Sequence, residues 1–358
     1  MKSTYIIAEA GVNHNGERDL AFALVDAAAK AGADAVKFQT FRAHEIVSRH
    51  SPKASYQIKE TGSEETQLEM LQRLELSPEM HRELAKRCQK QNIQFLSTPF
   101  DLESLRFLAE DLKTPRIKLP SGEITNAPLL LGAARTGKAA ILSTGMATLG
   151  EIEMALGTLA FGYLNTAETP SREAFEGAIW ADEGQRLLRE KVTLLHCTTE
   201  YPAPVESVNL RAMQTMKQAF GLDVGYSDHT AGIAVATAAV ALGATLIEKH
   251  FTLDCSLPGP DHRASLEPET FKSMASSIRD VEAALGEGRK LPVFAERENR
   301  KIVRRSLIAS RRIDCGDAFD ETNIAIKRPG GGVSPMRYWD VLGRKSNRVY
   351  EAGELIEL

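Results

Sequence analysis

Cysteine is scarce. Four residues, Cys88, Cys197, Cys255 and Cys315, lie far apart and form no CxxC pair, which argues against a disulfide scaffold and fits a reducing cytoplasm. Neither sign of charge dominates: 44 Lys+Arg stand against 48 Asp+Glu, net -4, so nothing reads as a strongly basic nucleic-acid binder. No apolar run approaches the ~20 residues that a membrane span needs. The N-terminal MKSTYIIAEAG meets a glutamate at position 9, too early for the apolar core of a signal peptide. Low-complexity tracts are also missing. These absences predict a soluble cytoplasmic protein that binds neither nucleic acid nor membrane.

What is present is ordinary globular material: 358 residues, 43% hydrophobic and 26% charged, enough for one large domain or a large one plus a small one. Eight short β-branched or aromatic runs recur, at 4–10, 35–41, 93–100, 116–122, 139–145, 192–198, 223–229 and 245–251. Between them, apolar residues fall three or four apart. Leu20, Leu24, Ala27, Ala28 and Ala31 are closed by Gly32; Ile233, Ala234, Ala238 and Ala241 are closed by Gly243. Eight strand–helix units over roughly 285 residues predict an α/β chain of the (β/α)₈ TIM-barrel type. The competing pattern is a doubly wound open sheet, but no GxGxxG follows a strand.

The runs begin apolar and end polar. They finish in Glu9, in Lys37 and Gln39, in Ser97 and Thr98, in Lys118, Ser121 and Glu123, in Ser143 and Thr144, in His196, Thr198 and Thr199, in Ser227, Asp228 and His229, and in Glu248, Lys249 and His250. In a barrel these C-terminal ends converge on one face, where active sites lie. Two stretches interrupt the rhythm. Residues 42–77 are long for a strand–helix connection and read as a lid or a surface elaboration. Residues 161–190 read as an insertion with a short helical piece. The barrel is expected to end at 285, followed by a linker over 286–300 and a small domain over 301–358. That last segment carries 11 Lys+Arg and 8 Asp+Glu, net +3, which leaves -7 for the rest. Its 58 residues make a marginal core alone, so it is expected to dock against something.

Three kinds of chemistry fit the predicted mouth. His229 and His250 end adjacent strands, and two imidazoles near Glu9 and Glu123 suit a divalent ion such as Mn²⁺ or Mg²⁺; two hydrogen-bonded histidines fit equally. Lys37, Lys118, Ser121, Ser143 and Ser227 suit a phosphate or a carboxylate, although both lysines could instead pair with barrel glutamates. Glu9 and Glu123 are candidate proton handlers if burial raises their pKa, or salt-bridge partners of the lysines.

The motifs IIAEAGVNHNG, VKFQTF, STPFD, KLPSGEITN, ILSTGM, LLHCTTEYP, GYSDHT, EKHFT, GPDH and KRPGGGVSP occur in this order. Together they resemble the sialic acid synthase family, the bacterial N-acetylneuraminate and legionaminate synthases. The likeness covers the chain apart from about 161–190. It implies a (β/α)₈ TIM barrel followed by a small C-terminal antifreeze-like (SAF) domain. It implies condensation of phosphoenolpyruvate with an N-acylated mannosamine-type sugar, giving a nine-carbon 2-keto sugar acid and phosphate. It further implies a divalent metal, Mn²⁺ first with Mg²⁺ or Co²⁺ as alternatives, held by His229 and His250. A homodimer is implied in which each small domain covers the partner's active site.

By the same likeness Lys37, Lys118, Ser121, Ser143 and Ser227 match phosphoenolpyruvate-binding positions. Thr98 of the STPFD motif joins the candidate substrate contacts. Gln39, Tyr201, Asp261 and Arg328 match sugar contacts, with Arg328 supplied in trans, and Glu9 and Glu123 match catalytic carboxylates. Thr199 stands where some family members carry Asn as a phosphate ligand; its hydroxyl can still donate. Two rivals remain. A deoxyoctulosonate- or heptulosonate-phosphate-type synthase would need a second phosphate site, and no spare Arg cluster sits at the strand ends. A carbohydrate- or ice-binding module on an inert barrel would sit poorly with Arg328, Arg337, Arg344 and Arg348. The acceptor sugar, N-acetylmannosamine or its 2,4-diacetamido-2,4,6-trideoxy analogue, is left open.

Overall fold

The computed structural model describes residues 3–49, 51–54, 57–58, 61–62 and 64–358. Eight strands form at the predicted runs: β1 Tyr5–Gly11, β2 Ala35–Thr40, β3 Gln94–Pro99, β4 Arg116–Leu119, β5 Ala139–Ser143, β6 Val192–Cys197, β7 Asp223–Asp228 and β8 Leu246–His250. Their pairings are parallel and run β3-β2-β1-β8-β7-β6-β5-β4, so β8 returns to β1. β3 and β4 lie side by side and complete the ring, without a hydrogen-bonded ladder between them among the described residues. A doubly wound sheet would set β1 beside β4 and keep its two edge strands apart. The fold is the (β/α)₈ barrel.

Strand side chains alternate between two faces, and parallel strands of a barrel bury both. The outer face packs on helices through residues such as Ile6, Ala8, Val36, Phe38, Leu142, Leu194 and Ile247. The inner face holds a separate apolar plug made of Ile7, Ala35, Leu96, Ile141, Leu195 and Leu246. Two residues further along each of these strands, on the same inward parity, stand Glu9, Lys37, Thr98, Ser143, Cys197 and Glu248. The period of the strand therefore stacks a polar ring on an apolar floor.

The helix Arg18–Lys30 buries Ala21, Leu24, Val25 and Ala28, and Gly32 follows it at φ +84°. The helix Ala234–Ala241 is followed by Gly243 at φ +97°. Both glycines take the left-handed region that a side chain disfavours. Two stretches are more regular than expected. Most of 161–190 is helical: Leu149–Leu164 runs into it, and Arg172–Trp180 and Asp182–Lys191 follow, with Phe175 against Phe161 and Leu188 buried. The short-helix reading failed because the polar faces of these helices mask their buried Ala174, Ala178 and Ile179. Within 42–77 lie the helices Ala43–Ile46 and Gln67–Leu74. A capping box starts the second: Glu69 N–H donates to Thr66 Oγ1 at 3.2 Å and Thr66 N–H to Glu69 Oε2 at 2.8 Å.

The chain divides into two compact units, Met1–Gly286 and Glu287–Leu358. In the second, the stretch expected as linker ends in the exposed helix Glu296–Val303. Two antiparallel strands, β9 Ser306–Ala309 and β10 Ile324–Lys327, follow. Its core is Leu307, Ala309, Ile313, Phe319, Ile324, Val341, Tyr350 and Ile356.

Candidate active site

The polar ring opens into a cavity of about 280 Å³ at the C-terminal ends of the strands. Lining it are Glu9, Lys37, Gln39, Thr98, Lys118, Ser121, Ser143, Thr199, Tyr201, Ser227, His229, His250 and Asp261. Residues 252 positions apart in the chain thus share one chamber, and most of these side chains are buried.

At its base Lys37 Nζ lies 2.5 Å from Glu9 Oε2, 3.7 Å from Glu248 Oε2 and 3.1 Å from Thr98 Oγ1. Lys118 Nζ donates to Ser143 Oγ at 2.8 Å and lies 3.5 Å from Glu248 Oε1. Ser227 Oγ donates to that same oxygen at 2.9 Å. Ser121 Oγ accepts the Gly145 N–H at 2.9 Å beside the Cys197 thiol. The lysines therefore do pair with glutamates, and the serines join the same network.

The two carboxylates diverge. Burial pushes Glu9 up to about 7, against the pull of Lys37 and with help from Glu248. Burial would raise Glu248 as well, but Lys118 and Lys37 outweigh it and hold that group down near 2. Burial also lowers Lys118, whereas the carboxylates of Glu248 and Glu9 overcome the same penalty at Lys37 and raise it. Two lysine side chains side by side at the base of the cavity suit an anion. Asp261, buried at the cavity edge, is raised to about 6 by that burial, with Lys37 opposing.

His229 and His250 face each other with ring centroids 5.5 Å apart, and the Tyr201 ring lies 4.3 Å from that of His229. His229 Nδ1 sits 2.6 Å from the Thr198 carbonyl, which can only accept, so in the neutral ring Nδ1 carries the proton and Nε2 the lone pair. Burial lowers His229 to about 4 and takes His250 well below its ordinary value. Both imidazoles are therefore neutral at pH 7, as ligands must be. His250 Nδ1 is buried without a hydrogen-bond partner. This donor set fits a divalent ion with open positions. No group of three or more His, Cys, Asp or Glu among the described residues is arranged to hold one, so the other positions would fall to substrate or water.

Two further networks hold the site in place. On the outward face, one residue before each histidine, the buried Lys249 and Asp228 pair at 2.8 Å, and Lys249 also donates to the Thr230 carbonyl at 2.5 Å. This ties the end of β8 to that of β7. The loop carrying Asp261 is gripped from the NHN motif after β1. Asn13 Nδ2 donates to Phe251 O and to Ser265 Oγ, both at 2.9 Å, and Ser265 Oγ donates to Asp261 O at 2.7 Å. Asn15 Oδ1 meets His262 Nε2 at 3.2 Å.

One expected residue, Glu123, does not line the cavity. β4 stops at Leu119, Pro120 follows, and Ser121–Glu123 turns as a short 3₁₀ helix. Ser121 and Gly122 keep the cavity side, while Glu123 accepts from Asn126 Nδ2 at 2.6 Å. Arg328, expected to act in trans, follows β10 in the second unit and is exposed. Conversely, Glu248 was seen only as a polar strand end, although it bridges both lysines. The signal was available: Leu246, Glu248 and His250 share one parity, so Glu248 faces inward if His250 does.

The sequence pattern of the NeuB family matches residues 24–290, and that of the SAF domain matches 304–357. The chain belongs to the NeuB family. It is 51% identical over 356 residues to the N,N'-diacetyllegionaminic acid synthase of Campylobacter jejuni, covering 99% of each chain. It is 45% identical over 349 residues to the enzyme of the same name from Legionella pneumophila, covering 98% of this chain and 92% of that one. Among solved structures it resembles the N-acetylneuraminic acid (sialic acid) synthetase of Leptospira borgpetersenii in complex with citrate. That match has a TM-score of 0.68 at 33% identity over 83% of this chain and 90% of the other. Members of the NeuB family are thus similar to this chain along nearly its whole length.

Proposed function

We propose that this cavity condenses phosphoenolpyruvate with an N-acylated mannosamine-type sugar, in the manner of a legionaminate or N-acetylneuraminate synthase. The observation that carries the reading is the base of the cavity: two lysines and three serines on four strand ends or the turns after them, beside two neutral imidazoles. Lys37, Lys118, Ser121, Ser143, Ser227 and Thr199 hold the donor's phosphate and carboxylate. The buried Thr199 hydroxyl has no partner of its own and is free to donate. Gln39, Tyr201 and Asp261 hold the sugar, with Thr98 beside Lys37.

The methylene carbon of phosphoenolpyruvate attacks the aldehyde carbon of the open-chain sugar. Water adds to the resulting cationic centre, and the tetrahedral intermediate breaks its C–O bond to release phosphate and leave the 2-keto acid. A Mn²⁺, Mg²⁺ or Co²⁺ ion held by His229 and His250 would supply Lewis-acid polarisation of the aldehyde oxygen. Glu9, poised near neutrality, is suited to carry a proton to or from that oxygen or the incoming water. Glu123 is the second candidate, from the turn beside the cavity. The ammonium and hydroxyl groups act mainly by holding the donor in line.

The reading extends to a cytoplasmic homodimer in which Arg328 of one chain reaches the acceptor in its partner's cavity. A phosphorylated acceptor is disfavoured by the cavity itself. The ammonium and guanidinium groups lining it among the described residues are those of Lys37 and Lys118, both committed to its base. The test is phosphate release from phosphoenolpyruvate with N-acetylmannosamine, its 2,4-diacetamido-2,4,6-trideoxy analogue and N-acetylmannosamine 6-phosphate. The reading expects release with an unphosphorylated sugar and sinks if none supports it. Glu9→Gln and Glu123→Gln, assayed in parallel, assign the proton handler to the one whose kcat falls by 10²-fold or more.

A further inference from the structure

Above the polar base, one side of the cavity is apolar. Val12, Phe41 and Phe100 each stand one residue beyond β1, β2 and β3, and they pack with Met70 and Leu74 of the helix Gln67–Leu74 as a hydrophobic cluster separate from the barrel core. Ile46 and Leu71 complete it. Every member of this cluster also lines the cavity. A hydrophobic cluster whose whole membership faces a ligand chamber is a wall of the chamber as well as packing for a loop. Among the carboxamides lining the cavity, Gln67 stands at the first position of the same helix.

We propose that this wall selects the acceptor: it takes the methyl carbon of a 6-deoxy, diacetamido sugar and rejects a hydroxyl or a phosphate at that carbon. The inference rests on the condensation reading and adds the part of the sugar that the chain discriminates. The reacting aldehyde must lie at the base, beside the lysines and imidazoles. A six-carbon chain starting there points its far end toward the residues just beyond the strand ends, which on this side are the wall. A methyl group against Met70 and Leu71 loses water at no polar cost, whereas a hydroxyl there loses a hydrogen bond to water and gains none from side chains without polar atoms. No ammonium or guanidinium belongs to this wall to meet a phosphate there. Gln67 offers a donor and an acceptor together, the complement of an acetamido group.

The experiment compares kcat/KM for the 2,4-diacetamido-2,4,6-trideoxy sugar with that for N-acetylmannosamine, each with phosphoenolpyruvate, in full-length protein. Leu71 is only partly buried and tolerates a polar side chain better than Met70. Leu71→Gln is expected to lower the ratio of the two values by roughly 10-fold or more, chiefly through a higher KM for the deoxy sugar. Leu71→Met should leave the ratio within about twofold, because it keeps the wall apolar. Ile46→Thr, on a different segment of the wall, should lower the ratio in the same direction and serves if the first variant does not fold. The exposed Gln72→Ala, on the same helix but off the cavity, should not move it. Turnover with an unchanged ratio in Leu71→Gln or Ile46→Thr overturns the wall alone. No phosphate release from the unmutated chain with either sugar overturns the condensation reading and the wall with it.

Discussion

Lys249→Met is the substitution whose cost follows most directly from the packing. Lys249 and Asp228 are both fully buried, and their ion pair at 2.8 Å lies on the outer face of the barrel, away from substrate. Removing the ammonium leaves the Asp228 carboxylate in the interior with only the Thr230 N–H and hydroxyl, at 2.9 and 2.8 Å, to hold it. Breaking a buried pair from one side costs about 3–5 kcal/mol, because the remaining charge is uncompensated. The barrel unit spans residues 1–286, and unfolding entropy of about 2.1 cal/mol/K per residue gives roughly 0.6 kcal/mol/K for a unit of that size. The expected fall in Tm is therefore about 5–8 °C by scanning calorimetry at pH 7. Lys249→Met combined with Asp228→Asn removes both charges, keeps a hydrogen-bonding side chain toward Thr230, and should recover more than half of the loss. A fall of less than 1 °C in the single variant, or a double variant as unstable as the single, would refute this account of the barrel wall.

Other outcomes follow from the site and its surroundings. His14 is fully buried, and burial, then the nearby His81 and His262, lower it from 6.5 to about 4. Its folded-state value is depressed, so its stabilisation is complete above pH 6.5 and is withdrawn as pH falls toward 4. About 2 kcal/mol should go between pH 7 and pH 5, and a pH series of denaturant midpoints in which His14→Gln is as acid-sensitive as the unmutated chain would contradict this. His250→Ala should abolish turnover while preserving the far-ultraviolet circular dichroism, and calorimetric titration should show weakened Mn²⁺ binding; unaltered Mn²⁺ affinity would remove the metal role. Arg328→Ala should lose activity alone and regain part of it when mixed with Glu9→Gln, since a mixed dimer contains one cavity with both native groups. Activity of the mixture equal to the sum of its parts would argue against supply in trans.

The barrel was legible because strand parity leaves a strong imprint: each run starts apolar and turns polar where it reaches the mouth. The same parity would have exposed Glu248, but a glutamate beside Lys249 and His250 reads at first as one more polar strand end. Glu123 was placed with the cavity because KLPSGE was read as a strand through position 122. Pro120 ends that strand early and turns the next residues into a short helix. The apolar wall was unreadable for a different reason. Met70, Leu71 and Leu74 form an ordinary amphipathic pattern, and nothing in spacing separates a helix face that meets the core from one that meets a chamber. The helices within 161–190 escaped because their buried residues are few, Ala174, Ala178, Ile179, Gly184 and Leu188, and lie among polar ones.

The layer formed by Ile7, Ala35, Leu96, Ile141, Leu195 and Leu246 stoppers the barrel beneath the lysines, so the chamber is a cul-de-sac. Traffic in a dead end keeps its order. On the proposed reading, a donor held against Lys118 and its serines would arrive before the sugar that sits nearer the entrance. On the way out the order would reverse, the sugar acid leaving the doorway before the phosphate at the back.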